Sequence, residues 1–180
     1  QHIINPPPEK KEVLLEENAA FWYQKAIGEA KGSVDKEIRA SIEKGFPSDD
    51  KALRQILKDN SLVVSDFLQG AELTYCDFLF GKERPSEHKS YYPDQVKSTF
   101  VINLMLAQFQ VYLRDNDFER ATKVILRLVN FGHHLGQGNQ PSLEGKTREF
   151  DVYNQILAPS AELIRNPNNS KEFIKILSDE

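Results

Sequence analysis

Hydrophobic residues recur along this chain at the three- and four-residue spacing of helices that bury one face. The first such stretch begins at Glu9, and its apolar positions are Leu15, Ala19, Trp22, Ala26 and Ala30. Steps of three and four place these side chains on one side of a helix, whereas a strand would require alternation. Later stretches repeat the helical spacing and none alternates convincingly. The pattern therefore predicts an all-α fold.

Breaks that combine glycine, proline and small polar residues separate the apolar stretches. They fall at 32–33, 45–48, 59–61, 81–93, 115–117, 136–141 and 166–169. Such residues end one helix and cap the next, and Pro159 should kink or restart its helix because it has no N–H. We predict about eight helices, including 34–44 and a short last helix capped by Ser170. They form one α-helical domain over residues 9–180, after an extended lead-in over residues 1–8.

The stretch 94–114 is apolar nearly all round, with Phe100 and Leu104 among its large side chains. A helix without a polar face is normally buried on all sides, so we predict that it is the centre of the fold. The acidic turn 115–117 and the small Ala121 after it resemble the hairpin of a tetratricopeptide repeat, although the complete repeat signature is absent. The pattern fits two arrangements of antiparallel helical hairpins equally well. One is a compact bundle, and the other is a short right-handed solenoid of tetratricopeptide type.

Composition narrows the classes of function. The chain has 180 residues, 39% of them hydrophobic, and a formal net charge of −4. This length suits about one domain with a substantial core. The acidic balance and the lack of any Lys/Arg cluster predict that nucleic acid is not a partner. The richest apolar run, 101–113, is too short and too polar to cross a bilayer. Cys76 is the single cysteine, which excludes an intramolecular disulfide and a four-cysteine zinc site.

Several short blocks resemble an uncharacterised family of all-helical proteins that is abundant in planctomycete-type bacteria. The blocks are Asn18-Ala19-Ala20, Cys76-Asp77-Phe78, Arg114 to Ala121, Gly132 to Gln137, and Pro141-Ser142-Leu143. Members are usually exported or lipid-anchored, so the resemblance implies an extracytoplasmic protein, and a chain that starts at Gln1 fits either a removed signal peptide or a trimmed boundary. The chain departs from the pattern of this family at two places. It has Phe78 where Trp is more usual, and charged residues at 146–149 where the family has apolar and small ones. The resemblance implies no activity, cofactor or substrate.

His133 and His134 are the most conspicuous pair of chemically active side chains. On a helical wheel the apolar stripe from Ala121 to Leu135 leaves His134 on the opposite side and His133 at the boundary. Neighbouring helical residues point about 100° apart, so the two imidazoles cannot ligate one metal ion from a regular helix. We expect His133 to pack at a helix end, donating to a carbonyl, and His134 to be solvated. Metal binding or acid–base catalysis is the alternative.

Cys76 and Asp77 form the second candidate pair. A cysteine nucleophile needs a nearby base, which His88 or His133 could supply. A free cysteine is among the most buried residue types, so we expect Cys76 to be structural. Asp77 lies among aromatic residues and needs a partner if it is buried. We expect a cap or an ion pair there, with ligand contact as the alternative. The candidate ion-pair partners are Arg114, Arg120 and Arg127.

Tyr91 and Tyr92 lie beside His88 in the longest predicted loop, 81–93. Aromatic residues in loops are common at interfaces, but a tyrosine also anchors a loop to a core through its hydroxyl. Both roles stay open, so these residues join Asp77, His133 and His134 as candidate contacts for a ligand or partner.

No catalytic signature occurs in the chain. We therefore expect a non-catalytic module that binds a protein or peptide along a helical groove, without a metal or another cofactor. The alternative is an enzyme or metal-binding protein that uses His133 with Cys76 or Asp77. The oligomeric state stays open.

Overall fold

The computed structural model describes residues 13–30, 50–80, 92–137 and 142–165, except for the side chains of residues 162–164. These segments contain six α-helices and a short 3₁₀ turn, Leu15–Glu17, but no strand. The helices are α1 (Ala19–Glu29), α2 (Asp50–Asp59), α3 (Ser61–Glu72), α4 (Gln95–Arg114), α5 (Phe118–Gln137) and α6 (Leu143–Arg165). The prediction of an all-α fold is confirmed.

The six helices form a bundle in which α4 contacts each of the other five. Ten of its residues are buried, and they include Phe100, Leu104 and Phe109. The helix starts where the side chain of Asp94 accepts a hydrogen bond from the backbone N–H of Lys97 at 2.9 Å. The predicted buried central helix is therefore confirmed, because a helix that is apolar on all sides can be surrounded on all sides.

Two of the eight predicted helices, at 34–44 and after Ser170, lie outside the described residues, as does the lead-in over residues 1–8. The predicted turn 115–117 is present between α4 and α5. Asn116 adopts a left-handed backbone conformation there, with φ at 57°, which asparagine tolerates better than most residues. The backbone N–H of Asp117 then donates to the Tyr112 carbonyl at 2.8 Å and closes the turn.

Two predicted helix boundaries are wrong, and one of two alternatives at Pro159 is excluded. The first helix starts at Ala19 instead of Glu9, because Asn18 adopts an extended conformation and caps it. The breaks at 59–61 and 81–93 predict one helix that runs to the second break, but helix α3 ends at Glu72, so the aromatic residues after it belong to a non-helical segment, 73–80. Helix α6 does not restart at Pro159 but continues through it.

Helices α5 and α6 approach each other closely at glycine positions. A β-carbon on Gly132 would lie 2.8 Å from a ring carbon of Tyr153, and one on Gly136 would overlap the side chain of Glu149. A β-carbon on Gly145, in the first turn of α6, would overlap the carbonyl oxygen of Leu135. These glycines allow the two helix backbones to come close together. The same approach places the first two turns of α6 against the end of α5.

Candidate functional site

Asn18 joins the start of α1 to the segment 73–80. Its side chain is 1% exposed, and its Oδ1 accepts hydrogen bonds from the backbone N–H groups of Ala20 at 3.1 Å and Asp77 at 2.9 Å. Its Nδ2 donates to the carbonyl of Asp77 at 2.9 Å. One amide therefore caps a helix and satisfies both backbone groups of a residue 59 positions away.

Asp77 uses its side chain to stabilise a turn. Its Oδ1 accepts a hydrogen bond from the backbone N–H of Leu79 at 2.9 Å, and the hydroxyl of Tyr75 donates to Oδ2 at 3.4 Å. Of the two structural roles predicted for Asp77, the structure shows the cap. The arginines suggested as partners contact other carboxylates: Arg114 with Asp50, Arg120 with Asp117, and Arg127 with Glu72.

Tyr23 and His134 form a hydrogen-bonded pair inside the bundle. The Tyr23 hydroxyl lies 2.9 Å from Nδ1 of His134, although the residues are 111 positions apart. Tyr23 is fully buried and His134 is 7% exposed. The prediction that His134 is solvated is wrong, because α5 is packed on more than one side by α3, α4 and α6. His133, predicted to pack at the helix end, is instead exposed.

Aromatic rings enclose this pair. The ring of Tyr23 lies 4.7 Å from that of Phe131, 5.4 Å from Phe67 and 6.4 Å from Phe78, measured between centroids. Cys76 is also buried, at 8% exposed, as we expected for a structural cysteine. We call Asn18, Tyr23, Cys76 and His134, together with the partly buried Asp77 at their edge, the buried polar cluster.

The environment keeps the three titratable groups at the centre of this cluster neutral. Burial raises the pKa of the Cys76 thiol far above its usual range, and the charge of Asp77 adds to the effect. Burial also raises the pKa of Tyr23 and, with a smaller contribution from His133, lowers the pKa of His134 to about 4. The thiol, the phenol and the imidazole are therefore all uncharged near pH 7. A cysteine nucleophile reacts as the thiolate, and this site disfavours that form.

Acid should destabilise the fold through His134. Its pKa is lowered from an ordinary 6.5 to about 4 in the folded protein, mainly by burial. The unfolded chain therefore binds a proton at His134 more readily than the folded protein does. Protonation does not reduce the free energy of unfolding above pH 6.5, but reduces it progressively as the pH falls from 6.5 toward 4. Between pH 7 and pH 5 we expect the free energy of unfolding to fall by about 2 kcal/mol from this group, as measured by urea denaturation.

The matched control is His134→Gln, which keeps a polar side chain but cannot titrate in this range. Between pH 7 and pH 5, we expect the free energy of unfolding of the variant to fall by about 2 kcal/mol less than that of the wild type. Parallel pH dependence in the two proteins would contradict the neutral, buried state of His134.

Tyr92 anchors the chain before α4 to the start of α6. It is buried, and its hydroxyl is hydrogen bonded to Oγ of Ser142 at 2.9 Å. The guanidinium of Arg148 lies 5.4 Å from the Tyr92 ring centre and donates to the Pro93 carbonyl at 2.6 Å. For Tyr92 the structure thus shows the anchoring role. His88 and Tyr91, the remaining candidate contacts, lie outside the described residues.

Within the described segments, no three His, Cys, Asp or Glu side chains are grouped so that they could hold a metal ion. None of the described helices is long and apolar enough to cross a membrane. Of the sequence candidates, Asp77 is held by Asn18 and His134 by Tyr23, whereas His133 is exposed.

A groove between α4 and α6 is the second candidate site, and we call it the α4–α6 groove. Its volume is about 350 Å³, which lies within the range of small-ligand pockets. The apolar side chains that line it are Ile102, Phe131, Leu135 and Val152. The polar ones are Gln95, Ser98, Thr99, Arg148, Asp151, Asn154 and Gln155. The lining is thus more polar than that of most small-molecule pockets, which are mainly apolar, and it offers many hydrogen-bonding groups around a small apolar floor.

Sequence reasoning missed this groove. Its residues come from three helices, and only their packing brings the positions together. One local signal was present: Gln95, Ser98 and Thr99 form a polar stripe at helical spacing in the first turns of α4, before its most apolar part. A polar stripe on a central helix indicates that the helix is not fully covered there.

The chain matches no protein-family model and is not significantly similar to any curated protein or any solved structure. The family resemblance seen in the short sequence blocks stays a prediction.

Proposed function

We propose that this protein is a non-catalytic helical module that binds a protein or peptide segment in the α4–α6 groove. The groove itself is the observation that carries the proposal. It offers about 350 Å³ beside an apolar floor, where a large aliphatic or aromatic side chain would gain about 1.5–3 kcal/mol by leaving water. The amides and hydroxyls around the floor can pair with the polar backbone of a bound segment.

The buried polar cluster supports a structural role for the residues that the alternative, an enzyme or metal-binding protein, would need. Cys76 and His134 are buried, and the raised pKa of the thiol and the lowered pKa of the imidazole keep both groups uncharged. His133 is on the exposed side of α5, away from them. Export of the protein belongs to the same proposal as a prediction, and so does the likeness of its helical hairpins to tetratricopeptide repeats.

The proposal can be tested by panning a random dodecapeptide library displayed on phage against the immobilised protein. Enriched sequences are then synthesised with a fluorescent label, and their Kd values are measured by anisotropy. Gln155→Trp places a large side chain into the groove, and we expect it to weaken binding by about tenfold or more. Leu157→Trp is the matched control, because Leu157 is exposed and about 200° further round the same helix.

Binding that is unchanged in Leu157→Trp and weakened in Gln155→Trp supports the proposal. Failure of the library to yield any enriched sequence, or equal Kd values for the wild type and Gln155→Trp, would sink it. Circular dichroism on both variants checks that the helices are intact.

A further inference from the structure

We infer that the segment bound in the α4–α6 groove carries a lysine or arginine beside its buried apolar side chain, and that Asp151 is the residue that selects this charge. The inference rests on the proposed function. It assigns the chemistry of the occupant, which neither the apolar floor nor the volume of the groove determines.

Asp151 is a carboxylate in the wall of the groove that has no cationic partner among the described residues. It is partly buried and lines the cavity next to Val152, which belongs to the apolar floor. Among the described residues, the carboxylates in ion pairs are Asp50, Asp66, Glu72, Asp115, Asp117, Glu119, Glu144 and Glu149. Asp151 makes no ion pair with any residue of these segments. Its neighbour Gln155 donates to the backbone carbonyl of Asp151 and not to the carboxylate.

Arg148, the cation of the groove wall, already has its charge satisfied. Its Nε and Nη2 donate to Oε1 of Glu144 at 3.1 and 2.8 Å, and its Nη1 donates to the carbonyl of Pro93. The guanidinium is also held over the ring of Tyr92. An acidic ligand would therefore find no free cation in the wall and would be repelled by Asp151. The remaining polar side chains of the groove are neutral, and Arg148 is paired with Glu144, so the carboxylate of Asp151 is the charge that the lining leaves for a ligand.

Because Asp151 lies next to the apolar floor, the charged residue of the ligand must be adjacent to the residue whose apolar side chain is buried. A side chain that occupies the apolar floor brings its neighbouring residue to the carboxylate, where a Lys or Arg can pair with it. Because the carboxylate is partly withdrawn from water, such a pair is screened less than one on an open surface. Charge complementarity of this kind governs which partner is accepted.

Three fluorescein-labelled octapeptides test the inference. All have Leu-Phe at the centre, flanked on both sides by Lys in the first, Gln in the second and Glu in the third, with Ala and Gly elsewhere. We expect the Lys peptide to bind about tenfold more tightly than the Gln peptide, and the Glu peptide to bind most weakly. In Asp151→Asn the Lys and Gln peptides should bind with nearly equal Kd values. Glu29→Gln is the control, because it removes the same charge from an exposed position of α1, outside the groove.

Each outcome distinguishes the inference from the proposed function. Equal Kd values for the three peptides, or a Lys preference that survives in Asp151→Asn, would overturn the role of Asp151 and leave the binding function intact. The same applies if the Lys preference is lost in Glu29→Gln, since net charge alone would then explain it. If the octapeptides fail to bind while panned sequences do bind, the assigned ligand chemistry is wrong. If neither kind of peptide binds, the proposed function fails as well.

Discussion

Replacing Asn18 with alanine is expected to lower the free energy of unfolding by about 4 kcal/mol. The substitution removes the cap of α1, which is worth about 1 kcal/mol. It also leaves the partly buried backbone N–H and carbonyl of Asp77 without the partners they have at 2.9 Å, and each loss costs about 1.5 kcal/mol, in the lower half of the range for unsatisfied groups. Urea denaturation followed by circular dichroism measures the loss.

Asn60→Ala is the matched control for this prediction. Asn60 is also the residue before a helix, α3, but its side chain makes no capping hydrogen bond there and donates only to the Ile56 carbonyl at 2.9 Å. We expect that variant to lose about 1 kcal/mol. Similar losses in the two variants would show that the contact between Asn18 and Asp77 does not hold the start of α1 to the segment 73–80.

Replacing Phe131 with alanine should lower the free energy of unfolding by about 4 kcal/mol, which is within the usual range for a buried phenylalanine. Phe131 is 1% exposed, and its ring lies 4.7 Å from the ring of Tyr23 and 5.2 Å from that of Phe67. It also forms part of the floor of the α4–α6 groove, so the variant should bind panned peptides more weakly. Thermal and urea unfolding measure the first effect, and anisotropy measures the second.

The same substitution at Phe150 provides the comparison. Phe150 is 64% exposed on α6, and we expect its replacement by alanine to change stability by no more than about 0.5 kcal/mol. Comparable destabilisation of the Phe131 and Phe150 variants would contradict the placement of the aromatic cluster around Tyr23.

The sequence predicted those features of the fold that depend on neighbouring residues. The buried helix α4 follows from an apolar pattern that leaves no polar face, and the turn at 115–117 follows from three small polar residues between two apolar stretches. Both signals are local, and both were confirmed. The start of α1 was misplaced because helical spacing of Leu15 with Ala19 looks the same whether or not Asn18 caps a new helix between them.

Features that depend on long-range packing could not be read from the pattern. His134 lies off the apolar stripe of α5, so a wheel with one buried face places it in solvent. In the structure a second part of α5 is also covered, and Tyr23, 111 residues away, supplies the hydrogen-bond partner. The contact of Asn18 with Asp77 spans 59 residues and likewise has no local signal beyond the presence of a buried polar residue.

In the candidate sites, too, the sequence indicated single residues but not the contacts that depend on packing. The sequence identified Asp77 and His134 as unusual, because charged or titratable groups among apolar residues need an explanation, but it did not indicate their partners, Asn18 and Tyr23. It proposed no residue of the α4–α6 groove as a contact for a ligand or partner, since neither Asp151 nor Gln155 is unusual on an amphipathic helix. Their importance comes from the arrangement of α4, α5 and α6 around a shared space.

The central claim is that the α4–α6 groove is the binding surface, and amide chemical-shift mapping tests it most directly. The ¹⁵N-labelled full chain is titrated with a peptide selected by panning. The account predicts that the largest shifts occur at groove residues such as Thr99, Leu135 and Asp151. Shifts concentrated instead on the exposed face of α6, at Leu143, Phe150 and Leu157, or the absence of any shift, would contradict it.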